Sequence, residues 1–134
     1  MTVLDTNVLI YACDKSEPQR QQKALALIDR VTDGVLPWQV ACEFIAASRK
    51  LQGQGFTPAD AWDRLADFRQ LFRLVVPSPA VLPLAQKLHL DSHVSFWDAL
   101  IVAGCLDEGV GTLYSEDIPS RDEFGPLRVV NPFA

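Results

Sequence analysis

Four short segments of this chain each carry an acidic residue at the edge of an apolar run: Leu4-Asp5-Thr6-Asn7, Cys42-Glu43-Phe44, Phe96-Trp97-Asp98-Ala99-Leu100 and Tyr114-Ser115-Glu116-Asp117. Acids at core boundaries far apart in sequence are able to converge on one site. Gathering like charges costs roughly 4 kcal/mol per close pair at an effective dielectric near 20, and a divalent cation is the simplest offset. Carboxylates and waters in octahedral array suit Mg²⁺ or Mn²⁺. Such an ion polarises a phosphate, lowers the pKa of a water nucleophile and stabilises the leaving oxygen, so phosphodiesters are hydrolysed without His or Cys. These residues outline a metal-dependent nuclease.

Each acid also has a local reading. Asp98 stands three residues after Ser95, the position of a capping-box acid. Glu43 lies at the margin of a helical stripe, where solvated carboxylates are common. Asp117 suits a strand-to-loop turn, and Glu116 beside it reads as solvated. Asp5 is less ordinary, being an acid directly after a buried N-terminal strand and followed by Thr-Asn and a further apolar run.

The elements that must position these acids are legible from spacing. Residues 2–4 read as a buried strand that delivers Asp5 at its carboxyl end, and Thr6-Asn7 opens a short helix over 8–12. Ser16-Glu17-Pro18-Gln19 reads as a capping box with Pro in the first turn. Ala24, Leu27, Ile28 and Val31 follow at helical spacing, with an end near Asp33-Gly34. Val35-Leu36 is a second strand, stopped by Pro37. Val40, Phe44, Ala47 and Leu51 form one helical stripe with Glu43 beside it. After the break at Gly53-Gln54-Gly55, Thr57-Pro58-Ala59-Asp60 caps a helix that buries Ala61, Leu65, Phe68 and Phe72.

Residues 74–76 read as a third strand and 78–88 as a helix, with Pro83 either in its first turn or forcing an irregular start. The run 95–106 is apolar almost all round, which predicts an interior helix. Residues 112–114 and 127–130 supply the last two strands. Short strands alternating with helices predict an α/β layer with a mostly parallel sheet. Ligand sites in such sheets form outside the carboxyl ends of the strands. Asp5 and Asp117 follow strands directly, and Glu43 and Asp98 are expected in first turns of helices, so all four face one end of the sheet.

Composition bounds the reading. The 134 residues, 49% hydrophobic and 22% charged, suit a single soluble domain over 1–134. The longest uncharged apolar stretch, 99–106, is too short to span a bilayer. Met1-Thr2-Val3-Leu4 has no basic start and meets Asp5 at once, which predicts no signal peptide or anchor and a cytoplasmic location. A net charge of −5 is unlike a general nucleic-acid binder, although part of it is the acid cluster itself, and an acidic protein suits a basic partner. Cys13, Cys42 and Cys105 are odd in number and set among apolar neighbours, as reduced packing thiols are. His89 and His93 have a spacing that binds metal on a helix, but Leu90-Asp91-Ser92 between them reads as a helix end.

Other phosphoryl enzymes fit less well. A haloacid-dehalogenase-type phosphatase needs a second Asp where Asn7 stands. A phospho-receiver domain needs an acidic pair beside its first strand and a late strand-end Lys. The Gly-rich Lys-Ser/Thr motif of a P-loop is absent.

Taken in order, Val3-Leu4-Asp5-Thr6-Asn7-Val8-Leu9-Ile10-Tyr11, Phe96-Trp97-Asp98-Ala99-Leu100-Ile101, Leu113-Tyr114-Ser115-Glu116-Asp117 and Val129-Val130-Asn131-Pro132-Phe133 resemble the opening, central, late and C-terminal motifs of the PIN-domain family, in particular its VapC-type toxins. The resemblance runs almost end to end. It implies a three-layer α/β/α fold with a short, mostly parallel central sheet. It also implies Mg²⁺-dependent cleavage of RNA, with Mn²⁺ as a substitute, and a homodimer inhibited by a cognate VapB-type antitoxin whose tail covers the site. By position, Asp5 and Asp98 become the principal metal ligands and Asp117 completes or supports the shell. Glu43 orients the attacking water, Ser115 supplies a supporting hydroxyl where the family often has Thr, and Asn7 adds a polar contact near Asp5. Arg49, Lys50, Arg69 and Arg73 are candidates to line an RNA path, although Arg69 and Arg73, four apart on a helix, equally form a solvated face. Trp38 and Trp62 either meet a partner or finish the core. The alternative from another class is a catalytically silent PIN-like protein-binding module.

Overall fold

The computed structural model describes residues 1–119 and 124–134. Among these residues five strands, β1 (Thr2–Leu4), β2 (Gly34–Pro37), β3 (Arg73–Val75), β4 (Thr112–Tyr114) and β5 (Arg128–Val130), pair in the order β3-β2-β1-β4-β5. Every pairing is parallel. The expected mostly parallel sheet is thus all-parallel among the described residues. Central β1 is buried at all of its positions, as a strand covered on both faces must be. Val3 lies beside Val35 on one side and Leu113 on the other.

Among the described residues six α-helices flank the sheet in a three-layer α/β/α arrangement: α1 (Thr6–Cys13), α2 (Pro18–Arg30), α3 (Trp38–Ala47), α4 (Pro58–Leu71), α5 (Val81–Asp91) and α6 (Phe96–Glu108). Helix α1 packs on α2 and α3, α3 on α4, and α5 on α6. The chain builds outward from β1 through β2 to β3, then returns to lay β4 on the other side of β1. The switch point of the sheet therefore lies between β1 and β4, where α/β sheets open a crevice at their carboxyl ends. Gly34 on β2 is required by close packing, because a Cβ there would collide with the Phe72 ring.

Several expectations are corrected. The capping box at Ser16 does not form, because the Ser16 hydroxyl donates to Asp14 Oδ1 at 2.6 Å and the N-cap, Glu17, makes no side-chain cap bond. Helix α2 ends at Arg30, and Val31 is already extended. The stripe ending at Leu51 is carried by two elements, since α3 stops at Ala47 and a 3-10 helix (Ser48–Gln54) continues it to Gly55, whose φ of 81° ends the run. Helix α6 is not interior all round. Ala99, Ile101, Val102, Ala103 and Cys105 are buried, but Phe96 and Trp97 in its first turn face outward.

Cys13 and Cys105 are buried free thiols as expected, whereas Cys42 is exposed. Trp38 and Trp62 do not finish the core, being 52% and 60% exposed. Among the described residues no helix is long and apolar enough to cross a membrane.

Candidate active site

Parallel pairing of Leu4 with Tyr114 makes β1 and β4 end side by side, so Asp5 and Ser115 leave the sheet together. The Asp5 N–H donates to the Tyr114 carbonyl at 2.9 Å, and the Ser115 N–H to the Val130 carbonyl at 2.9 Å. Asp5 keeps an extended backbone and acts as the N-cap of α1, its Oδ1 accepting the Thr6 N–H at 2.7 Å. Its Oδ2 accepts the Ser115 hydroxyl at 2.7 Å. That hydroxyl, fully buried, in turn accepts the Ile118 N–H at 3.2 Å.

Asp5 is only 8% exposed. Burial pushes its pKa up to about 6, the bonds from Ser115 and the Thr6 N–H oppose that rise, and the charges of Glu43 and Asp98 add to it. A buried carboxyl raised by desolvation and like charges is one that a bound cation would return to its ionised form.

The other acids arrive from separate elements. Glu43 lies in the second turn of α3 rather than the first, and it is not a freely solvated margin residue, because Thr6 Oγ1 donates to its Oε1 at 3.1 Å. Asp98 stands in the first turn of α6. Its N–H donates to Ser95 Oγ at 3.2 Å, but its carboxylate does not return to the Ser95 N–H to close a capping box. Asp117 is exposed and accepts a bond from Asn7 Nδ2 at 2.9 Å, so Asn7 reaches Asp117 from the first turn of α1. The Oδ1 of Asn7 is buried without a hydrogen-bond partner among the described residues.

Asp5, Glu43, Asp98 and Asp117 line one cavity of about 110 Å³, with Thr6 and Asn7 between them and Gln39 and Trp97 at its wall. Gln39 Nε2 donates to the Trp97 carbonyl at 3.1 Å, tying the start of α3 to that of α6. A larger hollow of about 450 Å³ adjoins it along α3 and α6 and shares Gln39, Glu43 and Trp97 with it; its walls are mostly apolar, with Asp107 and Glu108 its further acids.

The donor set suits a hard divalent cation in kind, being all oxygen and including the unpartnered Asn7 Oδ1. Among the described residues no three His, Cys, Asp or Glu side chains close into a ready cluster, as expected of like charges with no cation between them. Cys105 is no nucleophile here, since burial and then the Asp5 charge push its thiol up to about 12.

Of the basic residues considered for an RNA path, none lines this cavity. Arg73 opens β3 at the opposite end of the sheet and pairs with Glu108 at 3.7 Å. Thr6, Gln39 and Trp97 were not evident as cavity residues from the sequence. The one signal for Thr6 is its place directly after Asp5. Gln39 carries none.

The model of the PIN domain matches residues 2–118 of the chain. The chain belongs to the PIN-domain family. No curated protein sequence shows significant similarity to this PIN domain, but solved structures do. It is similar to FitAcB from Neisseria gonorrhoeae, with a TM-score of 0.70, 21% identity and 99% of each chain covered. VapC20 of Mycobacterium tuberculosis, a sarcin-ricin-loop-cleaving toxin, aligns with a TM-score of 0.70 and 16% identity over 96% of this chain and 99% of that one. VapBC-1 from nontypeable Haemophilus influenzae aligns with a TM-score of 0.71 and 13% identity over 99% and 98%. At these identities the likeness is one of fold, shared with VapC and FitB toxins of toxin-antitoxin systems.

Proposed function

We propose that this PIN domain is a Mg²⁺-dependent endoribonuclease, the toxin of a toxin-antitoxin pair. The observation that carries the reading is the convergence of Asp5, Glu43, Asp98 and Asp117 on one small cavity at the switch point of the sheet. The cap at Ser95 takes only the Asp98 N–H, which leaves the Asp98 carboxylate available.

Asp5, Asp98 and Asp117 would hold the ion, with Mn²⁺ able to replace Mg²⁺. When bound, the ion would polarise the scissile phosphate, acidify the attacking water and stabilise the leaving oxygen. The Ser115 hydroxyl and the Thr6 N–H fix both oxygens of Asp5, so the carboxylate meets its ligand without reorganising. Glu43, held by Thr6, orients the attacking water and takes up its proton. Asn7 holds Asp117 from α1. The remaining elements of the proposal are a cytoplasmic location, an RNA substrate, inhibition by a VapB-type antitoxin and assembly as a homodimer. The antitoxin is supported by likeness to structures of toxin-antitoxin systems. The outward-facing Trp38 and Trp97 offer apolar surface for pairing.

The test is cleavage of total cellular RNA by purified protein, wild type beside Asp98→Asn, in Mg²⁺ and in EDTA. Discrete fragments that need both Mg²⁺ and Asp98 are expected. Fragments from both proteins alike, or none under any condition, would sink the reading; the latter would leave a silent binding module.

A further inference from the structure

Three consecutive side chains after β4 reach three different partners. Ser115 turns inward to Asp5 and Asp117 bonds Asn7. Between them Glu116, read from sequence as solvated, has a side chain only 21% exposed and takes Arg20 Nη2 on its Oε1 at 2.6 Å. Arg20 comes from the first turn of α2, and its guanidinium lies 5.3 Å from the Tyr11 ring centre and 5.9 Å from that of Phe133. Those rings meet edge to face at 5.0 Å. Arg20 Nε is buried without a partner among the described residues, so one donor is left unsatisfied while the guanidinium is kept in this place. The Tyr11 pKa is raised by burial and then by its hydrogen bond to Glu116.

Buried Ser115 and Ile118 anchor this segment on either side of Asp117, but among the described residues the exposed Asp117 carboxylate itself is held only by the Asn7 bond. A charge-assisted pair set over two rings ties that segment to α1, α2 and the C-terminal residues. We infer that Arg20, Glu116, Tyr11 and Phe133 form a positioning clamp that sets Asp117, and with it Ser115, at the acid cavity. None of the four lines the acid cavity. The clamp acts through the residues it holds, and its metal arm rests on the proposed function.

Arg20→Gln separates this from a field effect. Removing a positive charge near a cation site should tighten cation binding if only the electrostatic field matters, whereas loss of the clamp should weaken it. The measurement is Mn²⁺ affinity of the purified protein by calorimetry, with thermal unfolding and amide exchange of the metal-free protein alongside. About tenfold weaker Mn²⁺ binding in Arg20→Gln is expected, as for partners that orient metal ligands. Faster exchange at the Ile118 amide should accompany it. Phe133→Leu, which changes no charge, should move both readouts in the same direction by less, and it decides the matter if Arg20→Gln fails to fold.

Unchanged or tighter Mn²⁺ binding in both variants overturns the clamp, as does unchanged Ile118 exchange. If wild-type protein binds no Mn²⁺, the metal reading of the site fails instead, and the exchange measurement still judges the clamp.

Discussion

Helices α4 and α6 begin with the same spacing of a hydroxyl residue and an Asp, and they use it differently. At α4, Thr57 Oγ1 accepts the Asp60 N–H at 3.1 Å and Asp60 Oδ2 accepts the Thr57 N–H at 2.8 Å, which closes the box. Bonds from the Thr57 N–H and hydroxyl hold the Asp60 carboxyl below its usual range. At α6 only the first half forms, from Asp98 N–H to Ser95 Oγ. The two N-caps have nearly the same backbone, φ −80° and ψ 164° at Thr57 against φ −61° and ψ 159° at Ser95. Local geometry therefore does not separate them. What differs is the neighbourhood, since the Asp98 carboxylate borders a cavity shared with Asp5 and Glu43. A capping motif specifies where a helix starts, and tertiary surroundings decide whether its acid remains free for chemistry.

The largest test of that contrast is activity. Asp98→Asn should abolish Mg²⁺-dependent RNA cleavage while Asp60→Asn leaves it intact; equal losses in a cleavage assay would erase the distinction.

Next is the pH dependence of the metal-free protein. The pKa of Asp5 in the folded chain, about 6, stands above its ordinary 3.8. Between these values the folded state binds the extra proton, so stability falls as pH rises through the window. The loss is on the order of 3 kcal/mol by pH 7. Asp5→Asn should flatten this stretch of the profile in urea titrations, and saturating Mg²⁺ should offset the loss in wild type. Asp60, shifted the other way, contributes the opposite slope, losing its stabilisation as pH falls.

A third effect separates the two hydroxyl roles. Ser115→Ala strips a partner from Asp5 and from the Ile118 N–H in a fully buried place, and should cost about 2 kcal/mol as well as cleavage rate. Ser115→Thr should restore the rate if the hydroxyl is what matters. The smallest effect is expected for Thr57→Ala, a lost cap worth about 1 kcal/mol with cleavage unchanged; a lost rate there would mean that α4 also shapes the site.

Much of this architecture is written in short-range pattern. The strands at Thr2–Leu4 and Thr112–Tyr114, the α4 box and the buried stripe of Ala61, Leu65 and Phe68 follow from spacing because neighbouring residues cause them. The same local logic misled at Ser16, where the nearer Asp14 carboxylate captured the hydroxyl. It also misled at α6, where an apolar first turn was expected inside and Trp97 lies outside. Uniform hydrophobicity says that a helix has no polar face. It does not say how many of its faces the fold covers.

The sequence alone determined which residue types stand at strand ends and helix starts, and so which acids could meet. Only the tertiary structure decided their company. Thr6 reaches Glu43 across 37 positions, Ser115 reaches Asp5 across 110, and Arg20 reaches Glu116 across 96. No periodicity encodes such pairings, because they arise where parallel pairing of β1 with β4 and the packing of α1 on α2 and α3 bring distant segments together. Hydrogen bonds act over about 3 Å, so partners are fixed by the folded backbone rather than by their separation along the chain.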